Sequence, residues 1–533
     1  MGSTHTTGAT TPEHEVLIIG TGFAGLCMAI QLKKAGLHSF TMLEKEADLG
    51  GTWYVNTYPG CACDVNSHMY SFSFEPNPNW TREFASQPEI LQYVRHCADK
   101  YELRPRIQLK TQAVSARFDE AANVWRVTVA NADEVAQFMA AHGLKPGDAL
   151  QTDAEDFPRT REITARVVVA GMGGLSTPAY PRLSGLEGFK GRTFHSQRWD
   201  HGYDLRGKRV AVVGTGASAI QFVPAIQPQV GHMDVYQRTP AWIMPKPNPK
   251  ISEQKRRLYR TLPVTRMAER LRLYALLESR AIAFTINPKL AKQAERFALS
   301  YLKRRVADPV LREKLTPKYA MGCKRVLLSS EWYGAVSAPN VDLITSGIRE
   351  VREHSIVDEQ GVERPVDCII YGTGFRLTDL IPAGTIFGRG GQDLIDAWPN
   401  GPEAYKGTAV SGFPNMYILV GPNTGLGHNS IIYMIEAQVH YVMEALKHMR
   451  EKDLVALEVR SDVQTKFNED LQKKSKNTVW ETGGCKSYYL HPESGRNVAV
   501  WPDFTFRFAQ ITRTFDASNY LRTRVAATRD AAE

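Results

Sequence analysis

The sequence of 533 residues lacks an apolar run that approaches the roughly 20 residues needed to span a bilayer. We therefore predict no membrane span. The first dozen residues are rich in Thr and Gly and contain no apolar stretch of the kind found in a secretory signal. We expect residues 1–13 to form a disordered tail and the protein to be cytoplasmic.

Cysteine is also scarce, with seven residues at scattered positions. An odd number of scattered cysteines in a long chain favours reduced thiols over a disulfide framework. Cys61 and Cys63 are the only close pair, and a single intervening residue fits neither a thioredoxin-like redox pair nor a zinc ribbon. We expect both to be loop residues and predict no metal site.

A long basic block is missing as well, although the net charge is +9 and the pI is about 9.0. Only residues 255–257 and 303–305 form short basic clusters. This dispersal argues against a nucleic-acid partner and favours an enzyme that handles anionic phosphate cofactors. The length predicts two or three domains, and 43% hydrophobic with 23% charged residues is typical of a globular protein.

Two segments repeat one design, a buried strand followed by a glycine turn and a helix. The strands are residues 16–19 and 210–213. A single glycine motif is weak evidence for dinucleotide binding, but both copies here follow a strand and precede a helix. This arrangement lets a pyrophosphate approach the backbone at a helix N-terminus. The sequence therefore predicts an α/β fold with two Rossmann-like dinucleotide-binding domains. The residues predicted to bind the dinucleotides are Gly20, Gly22, Gly25, Gly214, Gly216, Ser218 and Ala219.

The two copies carry opposite charges at the same distance from the first glycine. Glu44 and Arg238 each lie 24 residues after it, where the chain should reach the adenosine ribose. An acid accepts hydrogen bonds from ribose hydroxyls, whereas Arg offers a forked donor to a 2′-phosphate. We predict FAD at the first site and NADPH at the second, with Thr239 as a further donor. The alternative for Arg238 is a solvated strand end.

The remaining chain suggests how these domains are assembled. Residues 125–129 and 167–169 read as strands, residues 131–163 as an insertion with a helix at 134–142, and residues 251–320 as a charged helical subdomain inserted into the second domain. The last strand of the second domain is predicted at residues 367–371. The predicted boundaries are 14–170 and 380–533 for the FAD-binding domain, 171–250 and 321–379 for the NADP-binding domain, and 251–320 for the helical subdomain.

Two further motifs carry a family resemblance. Residues 189–200 match F-x-G-x-x-x-H-x-x-x-W-[PD] at every specified position, with His195 and Trp199 at its centre. Residues 50–64 match G-G-x-W-x-x-x-x-Y-P-G-x-x-x-D. The chain thus resembles the type I Baeyer-Villiger monooxygenases, a class B flavoprotein monooxygenase family. The resemblance implies that Thr52, Trp53, Asp64 and Tyr70 contact FAD.

The same resemblance implies the chemistry. NADPH would reduce FAD, O2 would then form a C4a-peroxyflavin, and a ketone would become an ester or lactone. Lys324 and Arg325 stand in the context of the family's active-site arginine, so Arg325 would be catalytic, Asp64 would hold it, and Lys324 would contact the nicotinamide cofactor. His195 is implied in catalysis either as part of a hinge or as a proton-transfer group.

The C-terminal part adds a glycine-rich loop and one departure from the family. Residues 421–427 form the loop, which leads into a helix near Asn429 and suits the electron-rich edge of a flavin, with an interdomain turn as the alternative. Where many relatives carry Ser-Trp-Tyr, this chain has Ser487, Tyr488 and Tyr489. The contact that a Trp makes to the nicotinamide nucleotide is therefore altered.

Three other functions compete with this prediction. An N- or S-oxygenating flavin monooxygenase shares the cofactors, but typically has Tyr or Phe in place of Trp199. A pyridine-nucleotide disulfide reductase needs a redox cysteine pair near the first helix, which Cys27, Cys61 and Cys63 do not form. A non-catalytic dinucleotide-binding scaffold leaves Arg325 and Asp64 unexplained. The sequence does not indicate the oligomeric state or which ketone is used.

Overall fold

The structure, a computed structural model, describes residues 4–7, 11–376 and 381–525. Its strands are β1 (Thr4–Thr7), β2 (His14–Ile19), β3 (Phe40–Leu43), β4 (Ile107–Gln108), β5 (Thr111–Asp119), β6 (Val124–Asn131), β7 (Thr160–Ala170), β8 (Arg192–His195), β9 (Arg209–Val213), β10 (His232–Tyr236), β11 (Ile243–Met244), β12 (Leu327–Leu328), β13 (Val341–Ile344), β14 (Ile348–Val351), β15 (Ser355–Asp358), β16 (Glu363–Pro365), β17 (Cys368–Tyr371), β18 (Ile386–Phe387), β19 (Met416–Ile418), β20 (Leu454–Val459) and β21 (Tyr520–Val525). Its α-helices are α1 (Phe23–Lys34), α2 (Thr52–Val55), α3 (Gln87–Lys100), α4 (Ala132–Ala141), α5 (Ala219–Ile226), α6 (Glu253–Thr261), α7 (Pro263–Ala281), α8 (Ala291–Arg305), α9 (Pro309–Lys314), α10 (Trp332–Val336), α11 (Ile431–Glu451), α12 (Ser461–Ser475), α13 (Val479–Thr482) and α14 (Thr505–Thr512).

The first glycine motif lies in an eight-stranded mixed sheet. Its order is β18-β5-β6-β7-β2-β3-β4, with β19 paired to β7. Strands β2, β3, β4, β7 and β19 run parallel, while β5 and β6 form an antiparallel hairpin beside them. Leu17 and Ile18 of β2 are fully buried because the strand lies in the middle of the sheet and is covered on both faces.

The second glycine motif lies in a separate sheet of five strands. Its order is β13-β10-β9-β17-β8, and every neighbouring pair is parallel. Helix α5 follows β9 directly, as α1 follows β2, so the two motifs have the same strand, turn and helix. The prediction of an α/β fold with two Rossmann-like dinucleotide-binding domains is confirmed.

Helices α6 to α9 lie in the segment predicted as a helical subdomain, between β11 and β12 of the second unit. Helix α7 continues into a π-helical turn at Ile282–Ile286. Among the described residues, no helix combines the length and the apolar character that crossing a membrane requires.

Two expectations need revision. Thr4–Thr7 forms a strand parallel to β21, so these four residues differ from the predicted disordered tail, whereas residues 1–3 and 8–10 lie outside the described residues. The predicted domain boundary between 379 and 380 also lies outside them. Cys323 and Cys485 form a disulfide, so the expectation of reduced thiols throughout is wrong. The other five cysteines are free and buried.

Candidate active site

The two glycine turns have matching backbone geometry. Gly20 and Gly214 adopt φ values of +100° and +105°, which an L side chain rarely tolerates. A Cβ on Gly20 would lie 2.7 Å from the Gly171 carbonyl oxygen, and one on Gly214 would lie 2.5 Å from that of Gly372. Each first glycine therefore packs against a second glycine that ends a parallel strand of its own sheet.

The later glycines of the motifs have separate roles. A Cβ on Gly25 would lie 1.9 Å from the Gly20 carbonyl oxygen, so this glycine lets α1 pack against its turn. A Cβ on Gly22 or Gly216 would meet no atom closer than 3.7 Å. Both neighbours lie at ordinary van der Waals distance, and the lack of a side chain at these positions at the start of a helix would let a pyrophosphate approach the backbone N–H groups. In the second motif Ser218 precedes α5, and Ala219 is its first, fully buried residue.

Glu44 follows β3 and is buried beside the first glycine turn. One carboxylate oxygen accepts hydrogen bonds from the Thr21 backbone N–H (3.1 Å) and hydroxyl (2.5 Å), and the other accepts from the Glu46 N–H (3.0 Å). The acid is thus held at the end of the second strand, next to the open side of the glycine turn. This position fits the ribose of a dinucleotide.

Arg238 and Lys324 form a cationic pair at the equivalent edge of the second sheet. Arg238 is exposed at the end of β10, followed by half-buried Thr239. Burial and then the positive charge of Arg238 lower the pKa of Lys324, so the two cations lie close together. Tyr319 connects them, because its hydroxyl donates to the Pro240 carbonyl (3.0 Å) and its ring lies 5.4 Å from the Lys324 Nζ. Neither cation forms an ion pair with any carboxylate that the structure describes, so the pair fits a 2′-phosphate.

Arg325 and Asp64 form an ion pair between the two halves of the molecule. The Arg325 Nη2 lies 2.7 Å from both Asp64 carboxylate oxygens, and Nε donates to Oδ2 at 3.0 Å. The charge of Asp64 raises the pKa of Arg325 despite burial. Burial alone would raise the pKa of Asp64, but Arg325 and then Lys246 lower it below the ordinary value. Both groups stay charged, and with 38% of Arg325 and 23% of Asp64 exposed, the pair remains accessible.

The loop that carries Asp64 is docked onto helix α5. Gln221 accepts hydrogen bonds from the Tyr58 hydroxyl (3.0 Å) and the Ala62 N–H (3.2 Å), and its amide donates to the Ala62 carbonyl (2.9 Å). Gly60 allows the contact, because a Cβ there would lie 2.7 Å from the Gln221 carbonyl oxygen. The loop at residues 58–62 therefore touches the second domain immediately before Asp64.

The aromatic residues of this first region lie beside the loop. Thr52 begins α2, and the Trp53 indole N–H donates to the Tyr70 hydroxyl at 3.2 Å. The two rings meet edge to face at 5.5 Å. Burial raises the pKa of Tyr70, so its hydroxyl stays protonated and available as a donor.

Residues 189–200 join both domains. Arg198 forms a bidentate ion pair with Glu46 (2.7 and 3.1 Å), two residues beyond Glu44. Trp199 packs on Phe222 of α5, with ring centroids 5.4 Å apart. Two consecutive residues thus contact different domains, Arg198 the first and Trp199 the second.

His195 ends β8 and is fully buried. Its Nδ1 accepts a hydrogen bond from the Gln197 N–H (3.1 Å), and its ring lies 5.4 Å from Tyr180 and 5.8 Å from Phe375. Burial lowers its pKa to about 4. The structure therefore brings Arg325, Asp64, Tyr70 and Trp53 into one region, and places His195 in the neighbouring joint.

Sequence reasoning missed the covalent link beside Arg325. Cys323 stands two residues before Arg325, and its disulfide partner Cys485 is 162 residues away in the chain. Cys323 packs in one buried cluster with Trp480 and Tyr489. Tyr488 is 47% exposed, and both Tyr488 and Tyr489 influence the pKa of Arg325, so this tyrosine pair lies close to the ion pair. No spacing signal in the sequence pairs two cysteines at this separation.

The glycine-rich loop ends at a capped helix. The Ser430 hydroxyl accepts a hydrogen bond from the Ile432 N–H (3.3 Å) at the start of α11. Glu278 of α7 reaches this loop, where it accepts a hydrogen bond from the Asn429 side chain (2.7 Å) and lies 3.6 Å from His428. This loop leads into a helix N-terminus as predicted.

Known proteins match this chain over nearly its full length. A model of the NAD(P)-binding Rossmann-like domain matches residues 18–87, and one of the flavin-binding monooxygenase-like family matches residues 152–380. A Baeyer-Villiger monooxygenase of Pseudomonas aeruginosa is 53% identical over 97% of this chain and 93% of the relative. One of Streptomyces coelicolor is 42% identical, covering 95% and 92%.

Solved structures agree. The crystal structure of OTEMO in complex with FAD and NADP has a TM-score of 0.81 and 27% identity, covering 96% of this chain and 100% of that one. Oxidised steroid monooxygenase bound to NADP has a TM-score of 0.78 and 28% identity, covering 94% and 97%.

Two dinucleotide-binding folds, a match to the flavin-binding monooxygenase-like family and a neighbour solved with FAD and NADP identify a flavin-dependent monooxygenase, an enzyme that contains FAD and depends on NADPH. Identity of 53% over almost the whole length then decides the branch. The chain belongs to the Baeyer-Villiger monooxygenase family.

Proposed function

We propose that Arg325, oriented by Asp64, stabilises the negative charge that develops on the substrate oxygen when a ketone is oxidised to an ester or lactone. The reaction consumes NADPH and O2 and is carried out on FAD. The observation that carries this assignment is the bidentate ion pair, with three contacts of 2.7–3.0 Å between residues of different domains. A cation that cannot lose its proton at physiological pH suits a developing oxyanion.

The cofactor assignments are supported by the two glycine turns. The lack of a side chain at Gly22 and Gly216 suits the approach of pyrophosphates, Glu44 suits the ribose of FAD, and Arg238 with Lys324 suits the 2′-phosphate of NADPH. Thr52, Trp53 and Tyr70 would contact FAD, and Thr239 would add a hydroxyl donor for NADPH. When bound, NADPH supplies the hydride and FAD supplies the oxygen-transferring chemistry.

The residues of this chain then have three tasks. Asp64 stays ionised and holds the Arg325 guanidinium in place through the bidentate contact. Tyr489, 5% exposed, packs in one buried cluster with Cys323, two residues before Arg325, and would help to exclude water from this region. Arg198 and Trp199 couple the position of the second domain to the first, which would let Arg325 move between hydride transfer and oxygen transfer.

We propose His195 as a positioning residue of this joint. A fully buried imidazole with a pKa of about 4 is neutral at pH 7, and its Nδ1 is already occupied by the Gln197 N–H. A hinge role fits these facts better than proton transfer. The domain boundaries at 14–170 and 380–533, 171–250 and 321–379, and 251–320 belong to the same proposal. So does the cytoplasm as the compartment.

The experiment compares Arg325→Ala and Arg325→Lys with Arg206→Ala, an exposed arginine paired with Asp204. We expect Arg325→Ala to retain FAD, read from its visible absorbance, while the rate of ester formation falls about 10²–10³-fold. Arg325→Lys should recover part of the rate, because the charge remains and the bidentate geometry does not. Arg206→Ala should match the parent enzyme. Unchanged ester formation in Arg325→Ala would remove Arg325 from the mechanism, and a thioether oxidised while ketones are not would favour N- or S-oxygenation.

A further inference from the structure

Helix α7 has an apolar side that faces solvent. Val264, Met267 and Leu271 are 62%, 67% and 67% exposed. At about 100° per residue these three, with the exposed Ala268 and Ala275, fall within an arc of about 100° on one side of the helix. We call these five residues the α7 face.

The opposite side of α7 already makes the packing contact that a surface helix needs. Leu273 and Leu277 are 2% and 3% exposed and pack with Met69 of the first domain. A helix on the surface of a globular protein normally pairs one apolar stripe with a polar outer side. The second apolar stripe on α7 is therefore not explained by folding.

Other exposed apolar side chains are concentrated in the same segment. Of the 19 large apolar side chains that are exposed among the described residues, 12 lie in residues 251–320. Such a concentration of exposed apolar side chains favours an interaction site. Beyond the α7 face these side chains are Leu258, Leu262, Leu276, Ile282, Ile286, Leu290, Phe297, Leu299 and Val310.

The same segment accounts for the whole net positive charge of the chain. Residues 251–320 contain 17 Lys and Arg against six Asp and Glu, a net charge of +11, whereas the rest of the chain has a net charge of −2. The acids are largely engaged: Glu253 pairs with Arg256 and Arg260, and Glu269 with Lys255 and Arg272. The segment that exposes these apolar side chains therefore has 11 more cations than anions.

We propose that helices α6 to α8 form a peripheral binding surface for an anionic lipid bilayer. Exposed aliphatic side chains would enter the boundary between headgroups and acyl chains, while the Lys and Arg residues around them contact anionic headgroups. A second copy of this chain fits less well, because two surfaces of charge +11 repel each other. The α7 face also contains no Tyr or Trp, the aromatic side chains that most often anchor protein interfaces.

The position of this surface gives it a use in the reaction, a step that rests on the proposed function. The π-helical turn that follows α7 exposes Ile282 (39%) and Ile286 (63%) on the outside. Between them Phe284 packs inward, where a Cβ on Gly322 would lie 2.7 Å from its ring. Gly322 is three residues before Arg325. The lipid surface would therefore lie at the rim of the active site, and the substrate class would be apolar ketones that dissolve in the bilayer.

The experiment uses the full-length, FAD-loaded enzyme and co-sedimentation with vesicles. One set contains equal parts of phosphatidylglycerol and phosphatidylcholine, and the other contains phosphatidylcholine alone. The test variant is Met267→Ser with Leu271→Ser. The matched control is Leu109→Ser with Val362→Ser, which removes two exposed apolar side chains (40% and 44%) from other parts of the chain. Activity toward a water-soluble ketone is measured for both variants and should equal that of the parent enzyme.

We expect the parent and the control to bind the anionic vesicles at low salt and the neutral vesicles only weakly. In 0.5 M salt both should bind the anionic vesicles at least tenfold less, because salt shortens the Debye length, which is roughly 3 Å at 1 M. The test variant should bind the anionic vesicles at least tenfold less. The proposal is overturned if the parent does not sediment with anionic vesicles, if it binds both lipid sets equally, or if the test variant binds like the control. Light scattering that finds self-association abolished by the test variant, without vesicle binding, would assign the surface to a second copy. Sedimentation is read without turnover, so Arg325→Ala should bind vesicles normally even where ester formation is lost.

Discussion

Replacing Arg238 by alanine is expected to weaken the binding of NADPH but not of NADH, without destabilising the folded enzyme. Arg238 and Lys324 lie close together, the positive charge of one lowers the pKa of the other, and neither has an acidic partner among the described residues. A 2′-phosphate between them would relieve this repulsion and accept hydrogen bonds from both. NADH lacks that phosphate and gains nothing from the pair.

The size of the effect follows from this geometry. A hydrogen bond to a charged group contributes about 1.5–3 kcal/mol, and about 1.4 kcal/mol corresponds to a factor of ten. The KM for NADPH should therefore rise roughly 10- to 150-fold, toward the lower value at physiological salt because Arg238 is exposed. In the absence of NADP, removal of one of two repelling cations should leave the free energy of unfolding unchanged or raise it by up to about 0.5 kcal/mol.

The assay is NADPH and NADH oxidation at saturating ketone, together with urea unfolding of the FAD-loaded, NADP-free enzyme. Arg206→Ala is the control, because it also removes an exposed arginine but one that is already paired with Asp204. A KM that rises equally for NADPH and NADH, or a clear loss of stability in the NADP-free enzyme, would refute the assignment. The first result would mean that Arg238 acts on both nucleotides alike, and the second that it supports the fold.

Two further predictions concern groups near the joint and the ion pair. Burial lowers the pKa of His195 to about 4, below the value of about 6.5 in an unfolded chain. On acidification the unfolded state therefore binds the proton first. The contribution of the neutral His195 to the free energy of unfolding should be fully present above about pH 7 and fall by up to about 3 kcal/mol between pH 6.5 and pH 4. Urea unfolding should show that the free energy of unfolding decreases less from pH 7 to pH 5 in His195→Asn than in the parent enzyme; this variant keeps an acceptor for the Gln197 N–H. An equal decrease in both proteins would contradict the buried neutral state of His195. The disulfide predicts that maleimide labels five cysteines in the denatured, unreduced protein and all seven after reduction. In Cys485→Ser, six should be labelled without reduction, and seven labelled cysteines in the unreduced parent would rule the link out.

Local sequence signals predicted the two nucleotide folds because the required chemistry is local. A strand, a glycine turn and a helix occupy about 20 consecutive residues, and the charges of Glu44 and Arg238 could be compared at one fixed offset. The glycines that pack against these turns, Gly171 and Gly372, also have a local sequence signal. Gly171 and Gly372 each follow a buried strand and precede another glycine two residues on, so an alignment of the two halves would have found both.

Contacts across the joint could not be predicted in this way. The pairs Arg198 with Glu46, Gln221 with Ala62, and Cys323 with Cys485 are separated by 152, 159 and 162 residues. Each depends on how the two domains pack, and no periodicity or spacing encodes that. The family resemblance supplied Arg325, Asp64 and their pairing as an expectation, while the bidentate geometry, with contacts of 2.7–3.0 Å, required the structure.

The joint explains why the signature at residues 189–200 stands between two nucleotide motifs. Arg198 forms an ion pair with Glu46, two residues after Glu44. Trp199 packs on Phe222 of α5, the helix that begins at the second glycine turn. Helix α5 also holds the loop that ends in Asp64 through Gln221. A shift of α5 when NADPH binds would therefore move Asp64 through the Gln221 contact and Glu46 through Trp199 and Arg198. If Asp64 orients Arg325 as proposed, occupancy of the second nucleotide site would control the position of the Arg325 guanidinium, and no contact between the nicotinamide cofactor and Arg325 would be needed for that control.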